Sequence, residues 1–140
     1  DSDLVLTVGL EQEAARLASK CSLLIQSGQT PVVYTKRTVL PAQGEQALQY
    51  AIQISDGVQQ VVANLSLSPA FIIAKGGITS SDIATKALKI RQAEVLGQIE
   101  PGVPVCKTGP ECLFPNIPYV IFPGNVGEED TLKKAVEKLL

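Results

Sequence analysis

The chain has no histidine. That removes the commonest general base and the commonest metal ligand of proteins. Its three cysteines, Cys21, Cys106 and Cys112, are an odd set with no CxxC pair. Together these absences argue against a zinc centre and exclude a Cys–His nucleophile within the chain. The simpler expectation is reduced thiols in a cytosolic setting, with a Cys106–Cys112 pair left open. Excess charge is lacking as well. Twelve Lys and Arg stand against fourteen Asp and Glu, a net charge of -2, with no basic cluster. This gives no electrostatic footprint for nucleic acid or an acidic membrane. No apolar run approaches the roughly 20 residues that cross a bilayer. The opening Asp1-Ser2-Asp3 has neither a signal-peptide nor a transit-peptide pattern. A start without Met is expected of a fragment or a processed piece.

What is present is an ordinary globular composition. The chain has 140 residues, 45% hydrophobic and 19% charged, which suits a single domain, 1–140, with a real core. Its organising stretch is Phe71-Ile72-Ile73-Ala74-Lys75-Gly76-Gly77-Ile78-Thr79-Ser80-Ser81-Asp82-Ile83-Ala84. A short apolar run bounded by Pro69 and the glycines reads as a strand. Gly76-Gly77 permits a sharp turn and a close approach to the backbone. Thr79-x-x-Asp82 reads as a capping box, and Ile83, Ala84, Ala87 and Leu88 lie on one helical face. A helix start of this kind suits a phosphate, although a tight turn with no ligand fits the pattern equally well.

Elsewhere the elements alternate. Leu4–Val8 is a β-prone lead-in, an edge strand or the end of a linker. Leu10–Ser27 is a helix with Leu10, Ala14, Leu17, Ala18, Cys21, Leu24 and Ile25 on one stripe, ended by Gly28. Pro31–Thr35 is expected as the first core strand, with Lys36-Arg37 more plausible as a solvated loop pair than as ligand contacts. Pro41 and Gly44 mark a loop. A long helix covers about Glu45–Leu65, with Ala47, Leu48, Ala51, Ile54, Val58, Val61, Val62 and Leu65 as its expected buried stripe, weakened locally by Gly57. The helix between the strands at 31–35 and 71–74 implies a parallel crossover. Ala93–Glu100 alternates with period two and reads as a strand with one wetter face. Val103–Cys106 is extended, and Pro104 limits it to an edge or irregular strand. Residues 108–118 form a Pro- and Gly-rich loop. Pro118–Pro123 is a buried strand, Gly124–Gly127 a turn, and Leu132, Ala135, Val136, Leu139 and Leu140 mark a last helix. The expected fold is α/β: a three-layer-like, mixed, mainly parallel sheet with flanking helices.

The chemistry concentrates on two glycine turns, which at strand ends can line one crevice. Neither is a Walker A loop nor a GxGxxG fingerprint. Lys75 could neutralise a phosphate, but a strand-end lysine with its head in solvent is the plainer reading. Asp82 reads as a cap. Glu111, Glu128, Glu129 and Asp130 read as surface charges. No pair of carboxylates stands out for acid–base work.

Three motifs in order carry a family resemblance: Ala74-Lys75-Gly76-Gly77-Ile78-Thr79-Ser80, Val95-Leu96-Gly97-Gln98-Ile99-Glu100-Pro101-Gly102-Val103-Pro104-Val105, and Phe122-Pro123-Gly124-Asn125-Val126-Gly127. The chain resembles the C-terminal nucleotide-binding domain of the four-carbon acid sugar kinase family, formerly a domain of unknown function. The resemblance implies ATP-dependent phosphorylation of a tetronate or 3-oxo-tetronate type acid. It places Gly76, Gly77, Ile78, Thr79 and Ser80 on one nucleotide motif and Gly124, Asn125 and Gly127 on the other. ATP is the implied cofactor, with Mg²⁺ carried by the nucleotide and no metal site in the chain. Catalytic residues, including an acidic base, are expected in an N-terminal sugar-acid-binding domain of the parent protein. The expected setting is cytoplasmic, without nucleic acid or membrane partners, and a homodimer is left open. The family often has a polar or acidic residue where Ile78 stands, and its acidic N-terminal motif and upstream serine loop are absent. The alternative is therefore a non-catalytic nucleotide- or phosphate-binding regulatory module.

Overall fold

The computed structural model of the chain describes residues 9–35 and 44–140. The expectations for Leu4–Val8, Lys36-Arg37 and Pro41 lie outside those residues. The chain divides into two units, the first ending at Leu67 and the second beginning at Ser68.

In the first unit the described residues form two helices, α1 (Leu10–Gln26) and α2 (Glu45–Ala63). Their shared core is made of small and medium side chains: Ala14, Ala18, Cys21 and Val61, flanked by Leu17 and Leu65. The α1 stripe read from periodicity is thus the buried one. The expected end of α1 is also found. Gly28 has φ +78, its N–H donates to the Ile25 carbonyl at 2.9 Å, and the Gln29 N–H donates to Leu24 at 2.9 Å. This is a Schellman ending, in which glycine takes the left-handed position without a Cβ penalty. Gly57 does more than weaken α2. A Cβ there would lie 2.8 Å from Leu10 Cδ1, so the missing side chain gives Leu10 its room. Two expectations are corrected. The buried stripe of α2 covers only its second half, while Leu48 and Ala51 near its start are exposed. Residues 31–35 form no strand, and Val32 and Tyr34 are 76% and 84% exposed. An apolar run becomes a strand only where a neighbouring strand takes its backbone groups.

The second unit is built on a four-stranded sheet of β1 (Ile72–Lys75), β2 (Ala93–Glu100), β3 (Val103–Thr108) and β4 (Pro118–Phe122), in the order β1-β4-β3-β2. The expected mixed α/β class is present. Its balance differs from the expected mainly parallel one: β1 and β4 run parallel, while β2–β3 and β3–β4 are antiparallel. The parallel neighbour of β1 is β4, which no local pattern announces. Pro104 lies on an inner strand, not an edge. It is tolerated because β3 pairs with β4 only from Val105 to Lys107, and because β2 is irregular between Gln98 and Glu100 opposite it. β2 itself is an edge strand and is exposed from Ala93 to Gln98 on both faces, not on one.

Alternation along β4 assigns the helices to faces. Val120 and Phe122 join Val103 and the helix residue Ala135 in one core, together with Ile73, Ile99, Val105, Val126 and Leu139. Ala135 belongs to α4 (Thr131–Glu137). Tyr119 points to the other face, where its hydroxyl donates to the Ser80 carbonyl at 2.6 Å. Ser80 belongs to α3 (Gly77–Asp82), which continues as a π-turn over Ile83–Ala87. In this unit, therefore, the helices that follow β1 and β4 leave to opposite sides of the sheet. The loop from β3 to β4 is tied by Thr108. Its hydroxyl donates to the Phe114 carbonyl at 2.7 Å and accepts the Ile117 N–H at 3.1 Å.

Candidate functional site

Both glycine motifs lie in the second unit, at the carboxyl ends of its parallel pair. Lys75 and Phe122 are register partners. Each strand is followed at once by its turn. The Gly76 N–H donates to the Phe122 carbonyl at 2.8 Å. A Cβ on Gly124 would lie 4.0 Å from the Gly76 α-carbon. The two turns are thus side by side, between helices that diverge to opposite faces. In open sheets this reversal of direction leaves a crevice at the strand ends, where ligands bind.

The local geometry of the first turn differs from the expected capping box. Gly76 is the N-cap, with φ 101 and ψ 140, and no side chain caps α3. Only glycine adopts that conformation without strain. Because α3 begins at Gly77, Thr79 and Asp82 lie inside the helix, and Asp82 pairs with Lys86 at 3.1 Å. The Ser80 N–H is bonded to the Gly76 carbonyl at 2.9 Å. The N–H groups of Gly77, Ile78 and Thr79 precede the first possible i→i−4 bond, so the helix supplies them no partner. They point from the end where the helix dipole is positive.

The side chains sort into those that face outward and those that support. A Cβ at Gly77 would meet nothing within 4 Å, so the space beside it is open. Ile78 is 77% exposed and Asn125 is exposed. Thr79 is half-buried, with its hydroxyl toward Gly76. Ser80, by contrast, is buried, and its hydroxyl lies 2.8 Å from the Ala74 carbonyl and 2.7 Å from the Gly76 carbonyl. It holds the turn from behind. Gly127 has φ +91, and a Cβ there would lie 2.8 Å from Thr131 Cβ. Thr131 in turn accepts the Glu128 N–H on its hydroxyl at 2.7 Å. Gly127 therefore serves the packing of the second turn onto α4. Lys75 is not a lysine with a free head: its ammonium donates to the Pro123 carbonyl at 3.3 Å and sits 4.3 Å from the Phe122 ring centroid.

Carboxylates and thiols contribute little to this crevice. Glu111 accepts the N–H groups of Arg91 and Gln92 at 3.0 and 3.1 Å, and these bonds, Arg91's first, hold its carboxyl below the usual range. Its place is therefore the foot of β2. Asp130 pairs with Lys134 at 2.8 Å. All three cysteines are free thiols, so Cys106 and Cys112 do not pair; burial pushes the Cys106 thiol up. Among the described residues no three His, Cys, Asp or Glu side chains gather as a metal site. Among them, too, no helix is long and apolar enough to cross a membrane. Sequence reasoning missed Tyr119 as a support of the first turn; an apolar strand gave no sign of which carbonyl its hydroxyl would meet.

The family model described as a nucleotide-binding C-terminal domain matches residues 3–132. A Haemophilus influenzae protein of the DUF1537 family is similar over 88% of this chain and 31% of its own, at 24% identity and TM-score 0.62. A DUF1537 domain from Bordetella bronchiseptica, solved with bound citrate as a domain-swapped dimer, is similar over 87% of this chain and 30% of its own, at 20% identity and TM-score 0.58. A Salmonella typhimurium LT2 protein is similar over 89% of this chain and 31% of its own, at 18% identity and TM-score 0.59. The chain spans about a third of the length of these structures, and at such identities the likeness concerns the fold. No curated protein matches the chain significantly.

Proposed function

The chain belongs to the family of nucleotide-binding C-terminal domains, and from that premise we propose that 1–140 is the ATP-binding domain of a kinase for a four-carbon sugar acid. The acceptor is of tetronate or 3-oxo-tetronate type. The observation that supports this most is the contact between the two glycine turns at the ends of adjacent parallel strands. The N–H groups of Gly77, Ile78 and Thr79 would take phosphate oxygens. Gly124 and Asn125 would border the sugar or base, and Gly127 and Ser80 would hold the two turns in shape. Backbone donors of this kind cost no reorganisation and suit a phosphate at a helix start.

Phosphoryl transfer is mostly positioning and charge stabilisation, so a domain that places the phosphates is half of the machine. Mg²⁺ fits this chain only as a passenger of the nucleotide. No carboxylate cluster is at hand among the described residues, and Mg²⁺ commonly rests on substrate phosphates and water. It would neutralise phosphate charge there. The acceptor and the base would come from an N-terminal sugar-acid-binding domain, in line with matched structures about three times as long. A homodimer is part of the proposal, since a neighbour of this fold is a domain-swapped dimer, as is a cytoplasmic setting.

A second reading keeps the nucleotide and drops the chemistry: a regulatory module. The exposed apolar Ile78 at the mouth of the first turn favours it. Coupled detection of ADP from the intact protein, with a panel of four-carbon sugar acids, separates the two. Acceptor-dependent ADP release supports the kinase. Nucleotide binding without ADP release across the panel supports the regulatory module, and absence of binding rejects both.

A further inference from the structure

Two side chains outside the glycine positions cross the parallel strand pair in opposite directions. Lys75 ends β1, yet its ammonium holds the carbonyl of Pro123, the first residue of the turn after β4. The same ammonium lies over the Phe122 ring, a cation–π contact at 4.3 Å. Tyr119 lies in β4, yet its hydroxyl holds the carbonyl of Ser80, in the helix after β1. Ser80 passes that support on, because its own hydroxyl engages the carbonyls of Ala74 and Gly76. Tyr119 is 1% exposed, and burial raises its phenol well above the ordinary range, so the hydroxyl keeps its proton as a donor. Each strand thus supports the turn that belongs to the other.

We propose that Lys75 and Tyr119 are positioning residues that set the gap between the two glycine turns before any ligand arrives. This rests on the reading of those turns as a nucleotide site. The physical argument is preorganisation. A gap fixed in the free protein loses less conformational freedom on binding, and so binds more tightly for the same contacts. It also gives Lys75 a role other than direct pairing with a phosphate, since its ammonium already has a partner on the second turn.

The test uses the intact protein and its Lys75→Met and Tyr119→Phe variants, titrated with Mg·ATP by calorimetry. Backbone amide spectra are recorded without ligand. Losing one supporting hydrogen bond of ordinary strength weakens affinity by about 2- to 12-fold. In the ligand-free spectra Lys75→Met shifts the Gly124 and Asn125 amides, and Tyr119→Phe shifts those of Gly76 and Gly77. Lys75 is exposed, so its variant keeps the test alive even if Tyr119→Phe unfolds, which a melting curve reports. Unmoved amides with wild-type affinity overturn the proposal. Weaker binding by Lys75→Met with unmoved Gly124 and Asn125 amides also overturns it, because Lys75 would then act on the phosphate directly. A wild-type protein that binds no nucleotide rejects the underlying reading, while the ligand-free amide shifts still decide whether the brace exists.

Discussion

Replacing Gly77 by alanine sets stability against binding. Gly77 is the first residue of α3, and a Cβ built on it meets nothing within 4 Å. Alanine is favoured over glycine in a helix by about 0.8–1.0 kcal/mol, although the first turn realises only part of this. Gly77→Ala should therefore fold at least as well as wild type. The new methyl group, however, occupies the open space beside the N–H groups of Gly77, Ile78 and Thr79. If a phosphate lies against that backbone, the methyl holds it off, and affinity for Mg·ATP falls by at least about tenfold, or roughly 1.4 kcal/mol. Gly76→Ala is the contrasting control. At φ 101 and ψ 140 a Cβ is strained by about 1–3 kcal/mol, so this variant loses thermal stability as well as binding. Melting curves and calorimetric titration on both variants separate the two effects. A Gly77→Ala protein with raised or unchanged melting temperature and wild-type affinity would refute the placement of the phosphates.

Further outcomes follow from the supporting contacts. Gly127→Ala drives a methyl into Thr131 from a left-handed backbone position, and costs about 1–3 kcal/mol in chemical denaturation. Acid stability depends partly on Glu13. The two-pronged pairing with Arg16, at 2.7 and 2.8 Å, is the largest of the causes that lower its carboxyl from 4.5 to about 2. A lowered folded pKa contributes stability in full above pH 4.5, and this is lost as pH falls toward 2. Glu13→Gln should accordingly flatten the acid limb of the stability curve between those values; an unchanged limb counts against the pairing. Thiol titration should find three reactive cysteines in denaturant without reductant and slow reaction at Cys21 and Cys112 in the native protein, where both are buried. Fewer than three thiols in denaturant would mean a disulfide.

Local signals in the sequence located much of this fold. The 3.6-residue stripe of α1 and the glycine after it are properties of neighbouring residues, and so is the turn-bounded apolar run of β4. The sequence reading failed where distant residues decide. Pro31–Thr35 carries a strand's composition, but pairing depends on which strand lies alongside. Pro104, which lacks an N–H, marks an edge or an irregular strand; that the strand is an inner one, with the irregularity in the register opposite the proline, is a long-range fact. Gly57 looked like a helix weakness because its use, room for Leu10, lies on another helix. The candidate site was legible as two motifs at strand ends, and the structure sets their turns side by side. That Gly76 rather than Thr79 begins the helix, and that Ser80 faces inward, depend on the carbonyls around them. Lys75 and Tyr119 were invisible as a pair because each acts on the other strand's turn.

A nucleotide site between the two glycine turns is tested most directly by backbone amide spectra of the intact protein titrated with Mg·ATP. It predicts saturable shifts concentrated on Gly77, Ile78, Thr79, Gly124 and Asn125, the residues that the parallel strands bring to one edge. No shifts at millimolar nucleotide, or shifts confined to residues away from both turns, would contradict it.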